Sequence, residues 1–178
     1  MILGLDISTA ITGVTILDST GEVLFCDVWD FRKDKGFLQK ATKAKAYFKT
    51  LKQDPKYEIK EVFIEQSLQA FRSGFSSAKT LSTLARFNGT MSWICYEVLG
   101  VEPEYIGATT ARKLCGIKVP KGKKSKEVVL EKVLDMHPGF AIEYTKFGNP
   151  KPGTYDRADS IVIAKAGYNL CKEKNSSS

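Results

Sequence analysis

Residues 1–17 read MILGLDISTAITGVTIL. Two β-branched, apolar runs are interrupted by Asp6-Ile7-Ser8-Thr9, and Gly13 opens the second run. This is the pattern of a strand, a tight connection and an antiparallel partner strand. Asp6 closes the first run, where its neighbours predict burial, and an unpaired buried carboxylate is costly. The residue is therefore either hydrogen-bonded into the turn or held ready for a cation. Taken locally, the turn reading is the commoner one, because Asp is a frequent turn residue. The remainder of the chain reverses that preference.

At 178 residues the chain is long enough for one domain with a sizeable core, expected over 1–171 with a disordered tail at 172–178. With 43% hydrophobic and 26% charged residues, the composition excludes a largely disordered chain. No apolar run reaches membrane-spanning length, and the opening segment lacks the basic start and apolar core of a signal peptide. Cys26, Cys95, Cys115 and Cys171 are scattered without a C-x-x-C pair, which argues against zinc and redox motifs and for a reduced, cytoplasmic setting. A net charge of +7 points weakly to a polyanionic partner.

Beyond the opening hairpin, Gly21-Glu22 reads as a turn and Val23 to Trp29 as a third strand of an antiparallel meander. Phe37 to Leu51 carries apolar residues at helical spacing with lysines between them, the pattern of a solvated helix face. Glu61-Val62-Phe63-Ile64-Glu65 is a short strand closing on an acid, as the first strand closes on Asp6. A strand that follows a helix usually runs parallel to an earlier one, which would bring Glu65 and Asp6 out at the same end of the sheet. Ligand sites of open α/β sheets lie at such carboxyl ends.

A serine-rich loop over 66–77 precedes the longest helical stretch, about Ala78 to Leu99. Its apolar residues cover more than half of the helical wheel, so it is either a fully buried core helix or one that packs on the sheet and on a partner chain. Val101 to Ile106 reads as an edge strand interrupted by Pro103, followed by a short helix to Leu114. Between Arg112 and Lys126 the basic residues are unopposed by any acid, and Gly116, Pro120 and Gly122 break the segment. A basic loop with glycines suits phosphate contact. A helix starts near Ser125 and ends at His137-Pro138-Gly139, with His137 read as structural. Phe140 to Thr154 reads as a flexible insertion, and a final helix runs from Asp156-Arg157-Ala158-Asp159-Ser160 to Leu170.

Asp156 and Asp159 share one face of a helical first turn. Alone, the pair would be read as capping groups complementing the helix dipole. The joint pattern changes that weight: one acid ends the first strand, another ends the strand after the first helix, and D-x-x-D opens the last helix. Carboxylates converging on hard cations are how two-metal phosphoryl-transfer sites are built.

Leu3-Gly4-Leu5-Asp6, Phe63-Ile64-Glu65-Gln66, Arg86-Phe87-Asn88-Gly89, Lys124-Ser125 and Asp156-Arg157-Ala158-Asp159-Ser160 occur in the order and at about the spacing of RuvC-type Holliday-junction resolvases, which the chain resembles over about residues 1–170. The resemblance implies an α/β, ribonuclease H-like fold with a mixed five-stranded sheet flanked by helices. It also implies a homodimer and Mg²⁺- or Mn²⁺-dependent cleavage of four-way DNA junctions, with two ions per site. Asp6, Glu65, Asp156 and Asp159 match the metal-binding acids; Lys124 matches a basic residue acting on the DNA backbone at the site, and Lys113 a second. Lys118, Lys121 and Lys123, in the basic loop, join them as candidate DNA contacts, with Leu68, Phe71 and Arg72 in the loop after Glu65. The chain departs from the family in carrying Asp6-Ile7-Ser8 where bacterial members usually have Asp-Pro-Gly. It also has Ser67-Leu68 where an aromatic wedge is expected, leaving Phe71 or Leu68 to open the junction.

The leading expectation is a junction-resolving endonuclease acting in DNA recombination, repair or phage DNA processing, dimeric through the helix at about 78–99. A broader branched-DNA or RNA–DNA hybrid nuclease uses the same site. A non-catalytic nucleic-acid-binding subunit is disfavoured, because a binding protein gains nothing from acids facing phosphate. An actin-like sugar kinase would need a second large domain and glycine-rich phosphate loops, for which 178 residues leave no space.

Overall fold

A computed structural model describes residues 1–66 and 78–176. Strands β1 (Ile2–Asp6), β2 (Ile11–Leu17) and β3 (Val23–Asp30) form the antiparallel meander read from the sequence. They are followed by α1 (Phe37–Gln53), β4 (Glu61–Glu65), α2 (Ala78–Leu99), β5 (Glu104–Ile106), α3 (Ala108–Leu114), α4 (Ser125–Met136) and α5 (Thr154–Ser176). The sheet order is β3-β2-β1-β4-β5, with β4 parallel to β1 and β5 parallel to β4.

Both faces of this sheet are covered, which explains why every residue of β2 is buried and why its sequence is a nearly continuous apolar run. Alternation along the strands divides the core. Leu3, Leu5, Val14, Ile16, Val62 and Ile64 pack with α1 and α2 on one face. Ile2, Leu17 and Phe63 belong to the other face, with α3, α4 and α5. Asp6 is in phase with Ile2 and Gly4, and Glu65 with Phe63, so both acids are on the α5 face at the carboxyl end of neighbouring parallel strands.

Glycines let α5 approach that face. A Cβ on Gly4 would stand 2.6 Å from the Ala164 backbone, and one on Gly13 would stand 1.9 Å from the Asp156 carbonyl oxygen. The close approach fixes the height of α5 over β1 and β2.

Several boundaries differ from the sequence reading. Pro103, lacking an N–H, shortens the fifth strand to Glu104–Ile106, still at the sheet edge. Phe87, Met91, Ile94, Cys95 and Leu99 form the buried stripe of α2, whereas Trp93 and Tyr96 are 62% and 52% exposed. The helix is therefore not the fully buried one of the two alternatives. Phe140 to Thr154, read as a flexible insertion, contains a closed hairpin with Tyr144 bridged to Pro150. Helix α5 continues through the expected tail to Ser176, with the Lys174 ammonium 2.9 Å from Glu104. Among the described residues no helix is long and apolar enough to cross a membrane.

Candidate active site

The connection after β1 holds its shape without Asp6. The Ser8 Oγ accepts from the Ala10 and Ile11 N–H groups at 3.2 and 3.1 Å and donates to the Ile11 carbonyl at 2.7 Å. The Ser8 N–H meets the Thr12 hydroxyl at 3.3 Å, and the Lys40 ammonium caps the Thr9 carbonyl. With the turn satisfied by Ser8 and Thr12, Asp6 faces the acids of the other elements. At the end of β4, Asn88 of α2, a buried residue, donates its side-chain amide to the Glu65 carbonyl at 3.2 Å. That bond ties the strand end carrying Glu65 to the Arg86-Phe87-Asn88-Gly89 motif.

Each acid is held above its ordinary pKa. Burial is the first cause for Asp6, whose carboxyl is pushed well up, and Glu65, Asp159 and Asp156 add repulsion in that order. Burial and then Asp159 push Glu65 up to about 7. Asp159 is raised to about 6, by burial first and then by Asp156, against opposing fields from Lys126 and Arg112. Asp156 is raised by burial, with its own backbone N–H, Lys126 and Arg32 acting against the shift. Three separate elements thus bring their carboxylates into one electrostatic cluster.

The cation common to this cluster is Lys126, whose charge opposes the rise at all four acids. Arg112 joins it at Glu65 and Asp159. Both line a cleft of about 190 Å³ together with Glu65, Ser125 and Asp159. Sequence reading did not single them out for this role. A signal was present for Lys126: a lysine in the first turn of a helix opposes the macrodipole, so a compensating acid nearby is expected. Lys124 is the residue preceding α4, 81% exposed at its side chain, with its ammonium 3.0 Å from Glu127 and within the field of Tyr155, the neighbour of Asp156.

Lys113, Lys118, Lys121 and Lys123 are exposed on α3 and on the connection that follows it. Lys113 and Lys118 line a shallow cavity of about 320 Å³ with Thr109 and Gly116, on the α3 side of the site. Leu68, Phe71 and Arg72 lie outside the described residues. No group of three or more His, Cys, Asp or Glu side chains among the described residues is already arranged to hold a metal ion. The donor chemistry nevertheless fits a hard divalent cation: the groups are all carboxylates, crowded enough to raise one another's pKa, and a cation would relieve both burial and repulsion.

No protein-family model matches the sequence, and no curated protein matches it. Solved structures do match in shape. RuvC of T. thermophilus in complex with a Holliday junction substrate superposes with a TM-score of 0.69 over 97% of this chain and 94% of that one, at 14% identity. Another structure of Thermus thermophilus RuvC gives 0.62 over 97% and 96%, at 18% identity. The yeast mitochondrial Holliday junction resolvase gives 0.62 over 98% of this chain and 80% of its own length, at 14% identity. The fold is ribonuclease H-like. In this ribonuclease H-like frame, the resemblance carried by the short motifs extends to nearly the whole structure.

Proposed function

We propose that the chain is a metal-dependent endonuclease that resolves four-way DNA junctions. The observation that carries this reading is the gathering of Asp6, Glu65, Asp156 and Asp159, from β1, β4 and α5, into one half-buried, mutually repelling cluster. The whole-chain likeness to junction-resolving proteins supports the choice of substrate.

Asp6, Glu65, Asp156 and Asp159 would hold Mg²⁺ or Mn²⁺, two ions per site. When bound, such ions supply an activated water for in-line attack on a phosphodiester and stabilise the departing oxygen. Lys126 and Arg112 partly neutralise the acids and offer donors to the phosphate entering the same cleft. Lys113, Lys118, Lys121, Lys123 and Lys124 contact the DNA backbone on the α3–α4 side, with Leu68, Phe71 and Arg72 near the branch. A four-way branch demands geometry beyond one phosphodiester, and two sites related by a dyad supply it. The exposed Trp93 and Tyr96 of α2 are the apolar surface for that homodimer.

Cleavage of matched four-way, three-way, flap and linear DNA in Mg²⁺, beside the Asp6→Asn variant, tests the reading. Selective cutting of the four-way junction, lost in Asp6→Asn, is expected. Equal cutting of all branches or of RNA–DNA hybrids would move the assignment to a broader nuclease of the same fold. No metal-dependent cutting of any of them would reject it.

A further inference from the structure

The hairpin over residues 143–151 is not used by the site described above. Its closure follows from short-range chemistry. The Gly148 N–H donates to the Thr145 carbonyl at 3.0 Å and the Thr145 N–H donates to the Asn149 carbonyl at 2.8 Å. Gly148 has φ +76, the left-handed conformation required after the turn in a three-residue hairpin loop. The Lys151 N–H donates to the Glu143 carbonyl at 2.8 Å, and their side chains form a 2.7 Å ion pair. Lys146 and Phe147 occupy the tip. Phe147 is 77% exposed, and the Lys146 ammonium stands 4.9 Å from its ring centroid. The bonds that close the hairpin run through the backbone and the stem, so the ring is not needed to hold it.

The base of the hairpin is joined to the acid-bearing turn. The Arg157 N–H donates to the Gly153 carbonyl at 2.9 Å, and its guanidinium donates to the Ala141 carbonyl at 3.2 Å while lying 4.5 Å from the Phe140 ring centroid. Arg157 lies between Asp156 and Asp159 in sequence. Gly153 is buried against Val28 and Ile11, beside the starting end of β2, where Gly13 pairs with Asp6. The hairpin therefore rises on the β2–β3 side of the acids, opposite the basic α3–α4 connection.

We propose that this hairpin is a second DNA-contacting element, in which Phe147 stacks on a base exposed at the branch and Lys146 pairs with an adjacent phosphate. The inference rests on the nuclease reading above. Size argues for a base over a protein partner: one aromatic side chain covers about 150–250 Å², enough for a base but far below the roughly 800 Å² per side of a stable protein interface. Charge agrees, since the tip carries a lysine and the chain is net +7.

The test uses full-length protein carrying Asp6→Asn, to prevent cutting, and a four-way junction labelled with 2-aminopurine at bases flanking the crossover. Phe147→Ala added to that background is expected to weaken junction binding roughly 5- to 100-fold and to abolish the base-unstacking fluorescence change, with its melting temperature unaltered. Phe147→Trp is expected to retain both. If the Asp6→Asn parent binds the junction and Phe147→Ala binds it within about twofold with the same fluorescence, the inference is overturned and the hairpin is left for a protein partner. Failure of the parent itself to bind branched DNA would instead remove the nuclease reading, and this inference with it.

Discussion

The hydroxyls of Thr15 on β2 and Ser160 on α5 meet at 2.7 Å in the core, and Ser160 donates onward to the Arg157 carbonyl at 2.8 Å. Both residues are fully buried. The pair joins the strand beside Asp6 to the residue after Asp159. Thr15→Val keeps the volume, removes one partner and leaves Ser160 its bond to Arg157. It is expected to cost about 1 kcal/mol in urea unfolding while cleavage survives, because the glycine contacts still locate α5.

Gly13→Ala is expected to be far more damaging. The new methyl would meet the Asp156 backbone at 1.9 Å, and neither β2 nor the first turn of α5 has a flexible side chain there to yield. Overpacking of this kind costs about 1–3 kcal/mol, and it displaces the turn carrying two of the acids. Junction cleavage should fall about 100-fold or more even at temperatures where circular dichroism shows the variant folded, since a small misplacement at a reacting centre is enough.

The raised acids give a pH dependence of definite sign. Glu65 at about 7 and Asp159 at about 6 lie above their ordinary values, so the folded, metal-free chain binds more protons than the unfolded chain between those ordinary values and about 7. Its stability should fall as pH rises through that window. Added Mg²⁺ should therefore raise the melting temperature more at about pH 8 than at about pH 5, and Glu65→Gln should flatten the difference. The same variant is expected to abolish cleavage while leaving junction binding intact or stronger. A melting temperature that climbs from pH 5 to 7 without metal would contradict the cluster.

The two lysines near the start of α4 should separate cleanly. Lys126→Ala removes the cation opposing the rise at all four acids, so the cleavage rate should drop about 100-fold and its pH profile should move upward. Lys124→Ala should weaken binding alike on every sequence, reduce the salt slope by about one and leave the pH profile in place. Rate–pH profiles at two salt concentrations distinguish them.

On α2, Trp93→Glu places a charge on the exposed aromatic face beside Tyr96, whose ring lies 6.3 Å away. Analytical ultracentrifugation should show at least about tenfold weaker self-association, with single-strand nicking replacing paired cuts. An unchanged sedimentation coefficient would move the dimer contact elsewhere.

The sequence by itself determined the meander, the helix after it, the parallel strand ending in Glu65 and the D-x-x-D opening of the last helix. Those features depend on residues close in the chain: alternation, helical spacing and turn chemistry. It also carried the convergence of Asp6 and Glu65, because a parallel strand paired to the first leaves both acids at one end. Which lysine serves the acids was decided only by tertiary structure. Lys124 and Lys126 are chemically alike, but Lys124 precedes α4 in extended backbone whereas Lys126 lies in its first turn and lines the cleft with Glu65 and Asp159. Gly13 opens the second run in the sequence, but the reason for a glycine there lies in α5, whose Asp156 backbone leaves no space for a Cβ. The two alternatives for α2, fully buried or packed on one side only, were separated by the placement of α1 and the sheet, which leave Trp93 and Tyr96 exposed. The Phe140–Thr154 segment, with its glycines and prolines, reads as a flexible insertion, and its hairpin depends on a left-handed Gly148 and on Arg157 reaching back to Ala141. Such contacts join residues that no local spacing relates, and so they exist only in the folded chain.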